Sequence, residues 1–329
     1  MTQNFERERE PSPFSRSLFL TGPTAGGKTA LGVELARRLG AEIVSLDSMA
    51  IYRKMDVGTA KPTLEERGGI PHHMLDVVEP SEEFSTAEYL RQAGKVVRGI
   101  ESRGKVALFV GGTPLYLKTA LFGVFEAPGA DREYREELAE LERREGPGTL
   151  WSKLREVDPV ACERIHANDA KRLIRALEVY RATGRPISEL QTQFDAPPLA
   201  NPRRAKILTW ERERIYARID ARVDQMMAQG FDEEVRELFE GEPKPGPTAS
   251  KAVGYRELRA AQLGEISRDE AIETTKRLTR NFAKRQETWF RSLSARGAER
   301  VEVGEKTREA LLDELERAFG EFLERNESL

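Results

Sequence analysis

At 329 residues, 39% hydrophobic and 33% charged, the chain is long enough for a large α/β domain with a smaller companion, and its core needs no metal or disulfide. The lone Cys162 excludes an internal disulfide and any multi-cysteine zinc site. No apolar run approaches the ~20 residues of a membrane span, and the net charge of −3 argues against a general nucleic-acid footprint.

The N-terminal MTQNFEREREPSP lacks an apolar core, so neither anchor nor signal peptide is expected, and a cytoplasmic location is. SLFLTG (Ser17 to Gly22) reads as a short buried strand, followed by GPTAGGKTAL, which meets the pattern G-x-x-x-x-G-K-[ST] through Gly22, Gly27, Lys28 and Thr29. A helix from about Lys28 places Leu31, Leu35 and Leu39 on one face and stops at Gly40. AEIVSLD (Ala41 to Asp47) is the next strand, completing a βαβ unit. A helix from Ser85 through Ile100 and the strand KVALFVGGT (Lys105 to Thr113) extend it to a P-loop NTPase-like, doubly wound parallel α/β sheet.

From Ala127 the chain reads as helix without strands. DREYREELAELERREG presents Tyr134, Leu138 and Leu141 together, and NDAKRLIRALEVYRATGRP is capped at Asn168 or Asp169 and ends at Gly184. The linker DAPPLANP and the returning strand AKILTW (Ala205 to Trp210) make 127–202 an inserted all-helical domain between core segments 14–126 and 203–329. A later helix opens with a capping box at Ser267 and Glu270 and runs to about Leu293; a short VEV strand and a charged helix from about Glu305 close the chain.

Two segments are locally basic. From Arg164 to Pro186, six Lys or Arg side chains face Asp169 and Glu178; from Thr274 to Arg291, six face Glu287. Each reads as a solvated helix face or as a footprint for a polyanion. His72 and His73 are adjacent, point different ways and suit a structural or surface role better than a metal site. Arg214, Arg218 and Arg222 recur every four residues, forming either a salt-bridged stripe with Glu211 and Asp220 or a clamp on phosphate.

A loop of this make, between strand and helix, binds phosphate through backbone N–H groups and the helix dipole; Lys28 reaches the terminal phosphates and the Thr29 hydroxyl can hold Mg²⁺. NTPases also need an acid at the end of a companion strand for the metal shell. Here that strand ends in GGT. The acid at a strand end is Asp47, beside the loop, where α/β sites gather and where it would face an acceptor.

GPTAGGKTAL, IVSLDSMAIYRKMDVGTAKP, GIPHHMLDVVEP, FVGGTPLYLKTALFG, NDAKRLIRALEVYRATGRPISEL, RIDARVDQMMAQGFDEEV, AVGYREL and KRQETWFR together resemble the bacterial tRNA dimethylallyltransferases (tRNA isopentenyltransferases) across almost the whole chain. The resemblance implies transfer of a dimethylallyl group from dimethylallyl diphosphate to N6 of the adenosine 3′ of the anticodon, with Mg²⁺ assisting and diphosphate leaving. It implies that Gly22, Pro23, Thr24, Ala25, Gly26, Gly27, Lys28 and Thr29, with Arg222 or Arg218, hold the diphosphate, and that Asp47, Lys28 and Thr29 are catalytic. It implies contact with the tRNA anticodon stem-loop by Asp47, Ser48, Met49, Ala50, Thr113 and Arg135, by Lys171, Arg172, Leu173, Ile174 and Arg175, and by Arg280, Asn281, Phe282, Ala283, Lys284, Arg285, Gln286 and Glu287. Ala50 and Pro114 depart from residues common in the family, glutamine at the first and glycine or methionine at the second. A monomer without membrane attachment is expected. Rival readings are an adenylate isopentenyltransferase acting on a free nucleotide, an ATP-dependent small-molecule kinase with Asp47 as base, and a non-catalytic RNA-binding P-loop protein.

Overall fold

The computed structural model describes residues 12–125, 128–192, 194 and 197–324. The N-terminal stretch through Pro11, the expected boundary at 126 and 127, and linker residues 195–196 lie outside them. In chain order the elements are β1 (Leu18–Thr21), α1 (Lys28–Leu39), β2 (Ala41–Ser45), β3 (His72–His73), α2 (Thr86–Ser102), β4 (Val106–Gly111), α3 (Pro114–Phe122), α4 (Arg132–Glu145), α5 (Thr149–Val157), α6 (Pro159–Arg164), α7 (Ala170–Thr183), α8 (Ile187–Leu190), β5 (Ala205–Thr209), α9 (Arg212–Ala228), α10 (Phe231–Glu240), α11 (Tyr255–Gln262), α12 (Arg268–Ser294), β6 (Glu299–Glu302) and α13 (Arg308–Glu324). Two compact units result: the chain up to Leu121 with the chain from Leu199, and Phe122–Pro198. The second unit's ends fall a few residues before the expected 127 and 202.

The first unit carries a six-stranded sheet in the order β3-β2-β4-β1-β5-β6, every pairing parallel. Parallel strands are covered on both faces, which is why β1 and β2 are buried at every residue, the polar Thr21, Glu42 and Ser45 included. Alternation across the pleat sorts their side chains. Leu18, Leu20, Ile43, Leu108 and Leu208 join Leu31 and Leu35 of α1 and Leu315 and Phe319 of α13 in one core. On the opposite face Phe19 stacks on Phe109 at 4.9 Å. Each such fully buried side chain contributes about 1.5–3 kcal/mol.

Helix ends follow local chemistry. Ser85, Asp169 and Ser267 accept the N–H of the third residue beyond them, at 3.1, 3.2 and 3.1 Å. Gly40 and Gly184 end α1 and α7 in the left-handed conformation. β3 was not anticipated. It pairs His72 with Ile43 and His73 with Val44, and the imidazoles are held by the Ile70 carbonyl (2.8 Å) and the Glu42 carboxylate (2.7 Å), a structural role as the residues suggested.

A second core, Ile51, Tyr52, Met55, Phe231, Val235, Tyr255 and Leu258, lies beneath the segment that follows β2. The Phe122–Pro198 unit has its own core of Leu138, Leu150, Leu154, Leu173 and Leu177, supplied by α4, α5 and α7. Among the described residues, no helix is long and apolar enough to cross a membrane.

Candidate active site

Four parallel strands of the first unit deliver their carboxyl ends to one edge: β1 into Gly22–Thr29, β2 into Asp47, β4 into Gly112 and Thr113, β5 into Trp210. The loop after β1 turns back on itself through positive φ at Gly22 (148°), Ala25 (58°) and Gly27 (79°). That path, closed by the Gly26 N–H donating to the Pro23 carbonyl at 3.1 Å, delivers the chain to the N-terminus of α1. At Gly22 a Cβ would sit 2.8 Å from the Leu208 carbonyl oxygen, so the tight exit from β1 requires glycine. Ala25 is held in its strained conformation because Arg218 Nε donates to its carbonyl at 2.8 Å, and the same guanidinium lies 4.7 Å over the Trp210 ring.

Lys28 Nζ donates to the Pro23 carbonyl at 2.6 Å. Burial, with Arg222 nearby, pushes the ammonium down to about 7 against the opposing pull of the Asp47 carboxylate. Burial lowers the Arg222 guanidinium as well, and Asp47 again opposes the shift. Two desolvated cations thus share one carboxylate, an excess of positive charge suited to an anion. Thr29 is exposed in the first turn of α1.

Asp47 Oδ1 accepts the N–H groups of Met49 (2.8 Å) and Ala50 (3.1 Å), which shapes the turn after β2. Thr113 joins this turn from β4: its N–H donates to the Leu46 carbonyl (3.1 Å), and its Oγ1 accepts the Ser48 N–H (3.1 Å). Tyr89 and Tyr116 stack at 3.8 Å, and burial raises both phenols, with Asp47 adding to the effect. Both rings are buried, a neutral aromatic pair behind the site and within electrostatic reach of Asp47.

Three supports were not read from the sequence. Gln286 of α12 is buried and bridges two loops: Nε2 donates to the Gly112 carbonyl (2.5 Å), and Oε1 accepts the Thr24 N–H (2.9 Å). Glu234 accepts the N–H groups of Asp56 (2.7 Å), Val57 (2.6 Å) and Gly58 (2.9 Å) and the Tyr255 hydroxyl (2.6 Å), fixing the DVGT stretch. In the helical unit, buried Glu178 receives Arg135 at 2.8 and 2.9 Å and also pairs with Arg175.

The basic stretches divide by helix face. In α7, Lys171 and Arg172 are exposed and Arg175 is partly so, whereas Leu173 is fully buried and Ile174 packs against the unit's core. In α12, Asn281, Phe282, Lys284 and Arg285 face solvent; Ala283 and Gln286 are buried, Arg280 pairs with Asp220, and Glu287 pairs with Arg300 at 2.8 Å. Leu173, Ala283 and Gln286 therefore lie inside the protein rather than on a nucleic-acid face, because the helical period turns them inward. Arg214 is the salt-bridged member of the α9 series, bound to Glu211 (3.4 Å) and Glu305 (3.0 Å), whereas Arg218 and Arg222 turn to the loop site.

The family model described as "IPP transferase" matches residues 50–293. The chain is 46% identical over 280 residues to a tRNA dimethylallyltransferase of Geobacter metallireducens, covering 84% of this chain and 90% of that protein. It is 48% identical over 273 residues to one of Symbiobacterium thermophilum, covering 83% and 85%. Among solved structures it is similar to the full-length tRNA isopentenylpyrophosphate transferase of Bacillus halodurans, with a TM-score of 0.70 and 36% identity over 95% of this chain and 98% of that one. It is also similar to a eukaryotic dimethylallyltransferase acting on tRNA, with a TM-score of 0.73 and 27% identity over 88% and 74%.

Proposed function

The chain belongs to the IPP transferase family, and on that footing we propose that it transfers a dimethylallyl group from dimethylallyl diphosphate to N6 of the adenosine immediately 3′ of the anticodon in tRNA. One observation carries this reading. Lys28 and Arg222, both desolvated at the phosphate loop, have the Asp47 carboxylate within electrostatic reach, so an anion-binding group and a proton acceptor share one strand edge.

In the reaction the allylic C–O bond breaks and its electron pair leaves on the diphosphate oxygen. The N6 lone pair forms the new C–N bond, and the N6 proton passes to Asp47 and on to water. Negative charge grows on the diphosphate as the bond breaks, and the N-terminus of α1, Lys28 and Arg222 are the positive groups that would meet it. The adenine amine is a weak nucleophile, because its lone pair is shared with the ring. A carboxylate that accepts its proton contributes about 10² to 10⁴ in rate. The target base leaves the anticodon-loop stack to enter, a step that costs least in an unpaired loop.

No group of three or more His, Cys, Asp or Glu side chains among the described residues could hold a metal. A divalent ion here would rest on the exposed Thr29 hydroxyl and on substrate oxygens, a sparse hard-oxygen set that suits Mg²⁺. Bound there it would neutralise charge on the departing diphosphate. Lys171, Arg172 and Arg175, and Asn281, Phe282, Lys284 and Arg285, supply exposed cationic and aromatic surface for tRNA. The protein acts as a cytoplasmic monomer.

The test is transfer of labelled dimethylallyl from its diphosphate to unmodified tRNA, run beside AMP as acceptor and beside labelled ATP as donor. Label in tRNA with matching diphosphate release is expected. Label in AMP alone would reassign the acceptor, and transfer from ATP alone would return the loop to nucleotide chemistry.

A further inference from the structure

Resting on that reading, we propose that Gln286 is a positioning residue: it sets the spacing between the loop that holds the donor diphosphate and the turn that holds the acceptor base. β1 and β4 pair in register from Leu18 with Leu108 to Thr21 with Gly111. Beyond that pair the two chains become the phosphate loop and the Gly112–Thr113 corner, and the named ladder ends. Gln286 bridges them just past this point, from the Thr24 N–H to the Gly112 carbonyl. One side chain supplies the rung that the diverging backbones cannot make.

The chemistry of the bridge selects the residue. Thr24 offers a donor and Gly112 an acceptor, and a carboxamide answers both at once with its oxygen and its nitrogen. A carboxylate has no proton to give Gly112, an ammonium has no lone pair for Thr24, and asparagine is one methylene too short. Space at the contact is equally specific. A Cβ on Gly112 would lie 2.7 Å from Gln286 Nε2 and 3.5 Å from Lys28 Nζ, so bridge and catalytic lysine meet at the same glycine.

The bridge also leads onward. Gly112 precedes Thr113, whose Oγ1 holds the Ser48 N–H, and Ser48 follows Asp47. The sequence Thr24, Gln286, Gly112, Thr113, Ser48, Asp47 therefore links the diphosphate loop to the proton acceptor. Gln286, 2% exposed, offers almost no surface to a substrate and acts through the two loops that it joins. A misplacement of about 1 Å between reacting groups costs about 10²-fold in rate.

The experiment uses full-length Gln286→Met, which keeps the volume and loses both hydrogen bonds, and Gln286→Glu, which keeps the acceptor for Thr24 and loses the donor to Gly112. Turnover, both KM values, separately measured affinities for dimethylallyl diphosphate and an anticodon stem-loop, and thermal unfolding are compared with wild type. For Gln286→Met, kcat is expected to fall about 10²-fold while each affinity stays within about threefold and unfolding remains cooperative. Gln286→Glu is expected to lose turnover through the Gly112 side and, by adding a negative charge, to weaken diphosphate binding too. Wild-type turnover in either folded variant, or a loss tracking affinity alone in Gln286→Met, would overturn the proposal. Hydrogen exchange on the wild type gives a reading independent of variant folding: a slowly exchanging Thr24 amide is expected, and a freely exchanging one would overturn the bridge. Wild-type protein that fails to modify tRNA in the same assay would instead bring down the functional reading and this inference with it.

Discussion

Asp47 Oδ1 caps the N–H of Met49 at 2.8 Å and that of Ala50 at 3.1 Å, so one carboxylate oxygen is committed to the turn. Among the described residues, Oδ2 makes no hydrogen bond. Asparagine can keep the capping oxygen while replacing the basic one by an amide. Asp47→Asn should therefore retain the fold and bind the anticodon stem-loop within about threefold of wild type, while turnover falls about 10² to 10⁴-fold. Single-turnover transfer and a separate binding titration check both halves, and normal turnover would remove Asp47 from the proton transfer.

Lys28 gives a pH dependence whose sign follows from its environment. Burial holds the ammonium near 7 in the free protein, and a bound diphosphate favours the charged form. Affinity is then complete below about pH 7 and declines up to about tenfold per pH unit as the lysine deprotonates above it. Calorimetric titration with dimethylallyl diphosphate from pH 6 to 9 should show this decline in wild type in excess of that in Lys28→Met, which retains only the ligand's own ionisation. Parallel curves for the two proteins would contradict it.

Glu234 holds three backbone N–H groups and the Tyr255 hydroxyl with one carboxylate. Glu234→Ala removes every one of those acceptors beside the Phe231 and Tyr255 packing. Urea unfolding should report a loss of about 2–4 kcal/mol, since donors left without partners cost more than the bonds contributed. A change below about 0.5 kcal/mol would mean that water replaces the carboxylate without penalty.

Two glycines should respond with opposite signs. A Cβ on Gly111 would stand 2.3 Å from the Leu46 carbonyl oxygen, a backbone atom just past the β2–β4 ladder, so Gly111→Ala should cost about 3 kcal/mol or more. At Gly320, inside α13, an added methyl group would meet nothing within 4 Å. Gly320→Ala should raise stability by up to about 1 kcal/mol through helix propensity. Thermal unfolding of the pair, with wild type between them, is the check.

The doubly wound parallel core was legible because its signals are local: apolar runs at β1, β2, β4 and β5, side-chain caps at Ser85, Asp169 and Ser267, and a glycine spacing that fits one kind of loop. β3 escaped, since two histidines make no apolar run and become a strand by pairing with Ile43 and Val44. Gln286, Glu234 and Glu178 escaped for a different reason. Gln286 and Glu234 bond to backbone groups more than 170 residues away in the chain, and Glu178 sits inside a basic run that hides its burial. A faint signal existed for Gln286: it falls on the same helical stripe as Ala283, Phe290 and Leu293, and a polar residue on an apolar stripe asks for a partner.

The order of the strands leaves two open margins on the sheet. One is β3, only two residues long; the other is β6, where Glu299, Arg300 and Glu302 surround the buried Val301. A margin that short gives an incoming chain almost no backbone to zip against, and one that charged repels a flat apolar strand. Side-by-side pairing of two copies through the margins of this sheet is therefore disfavoured.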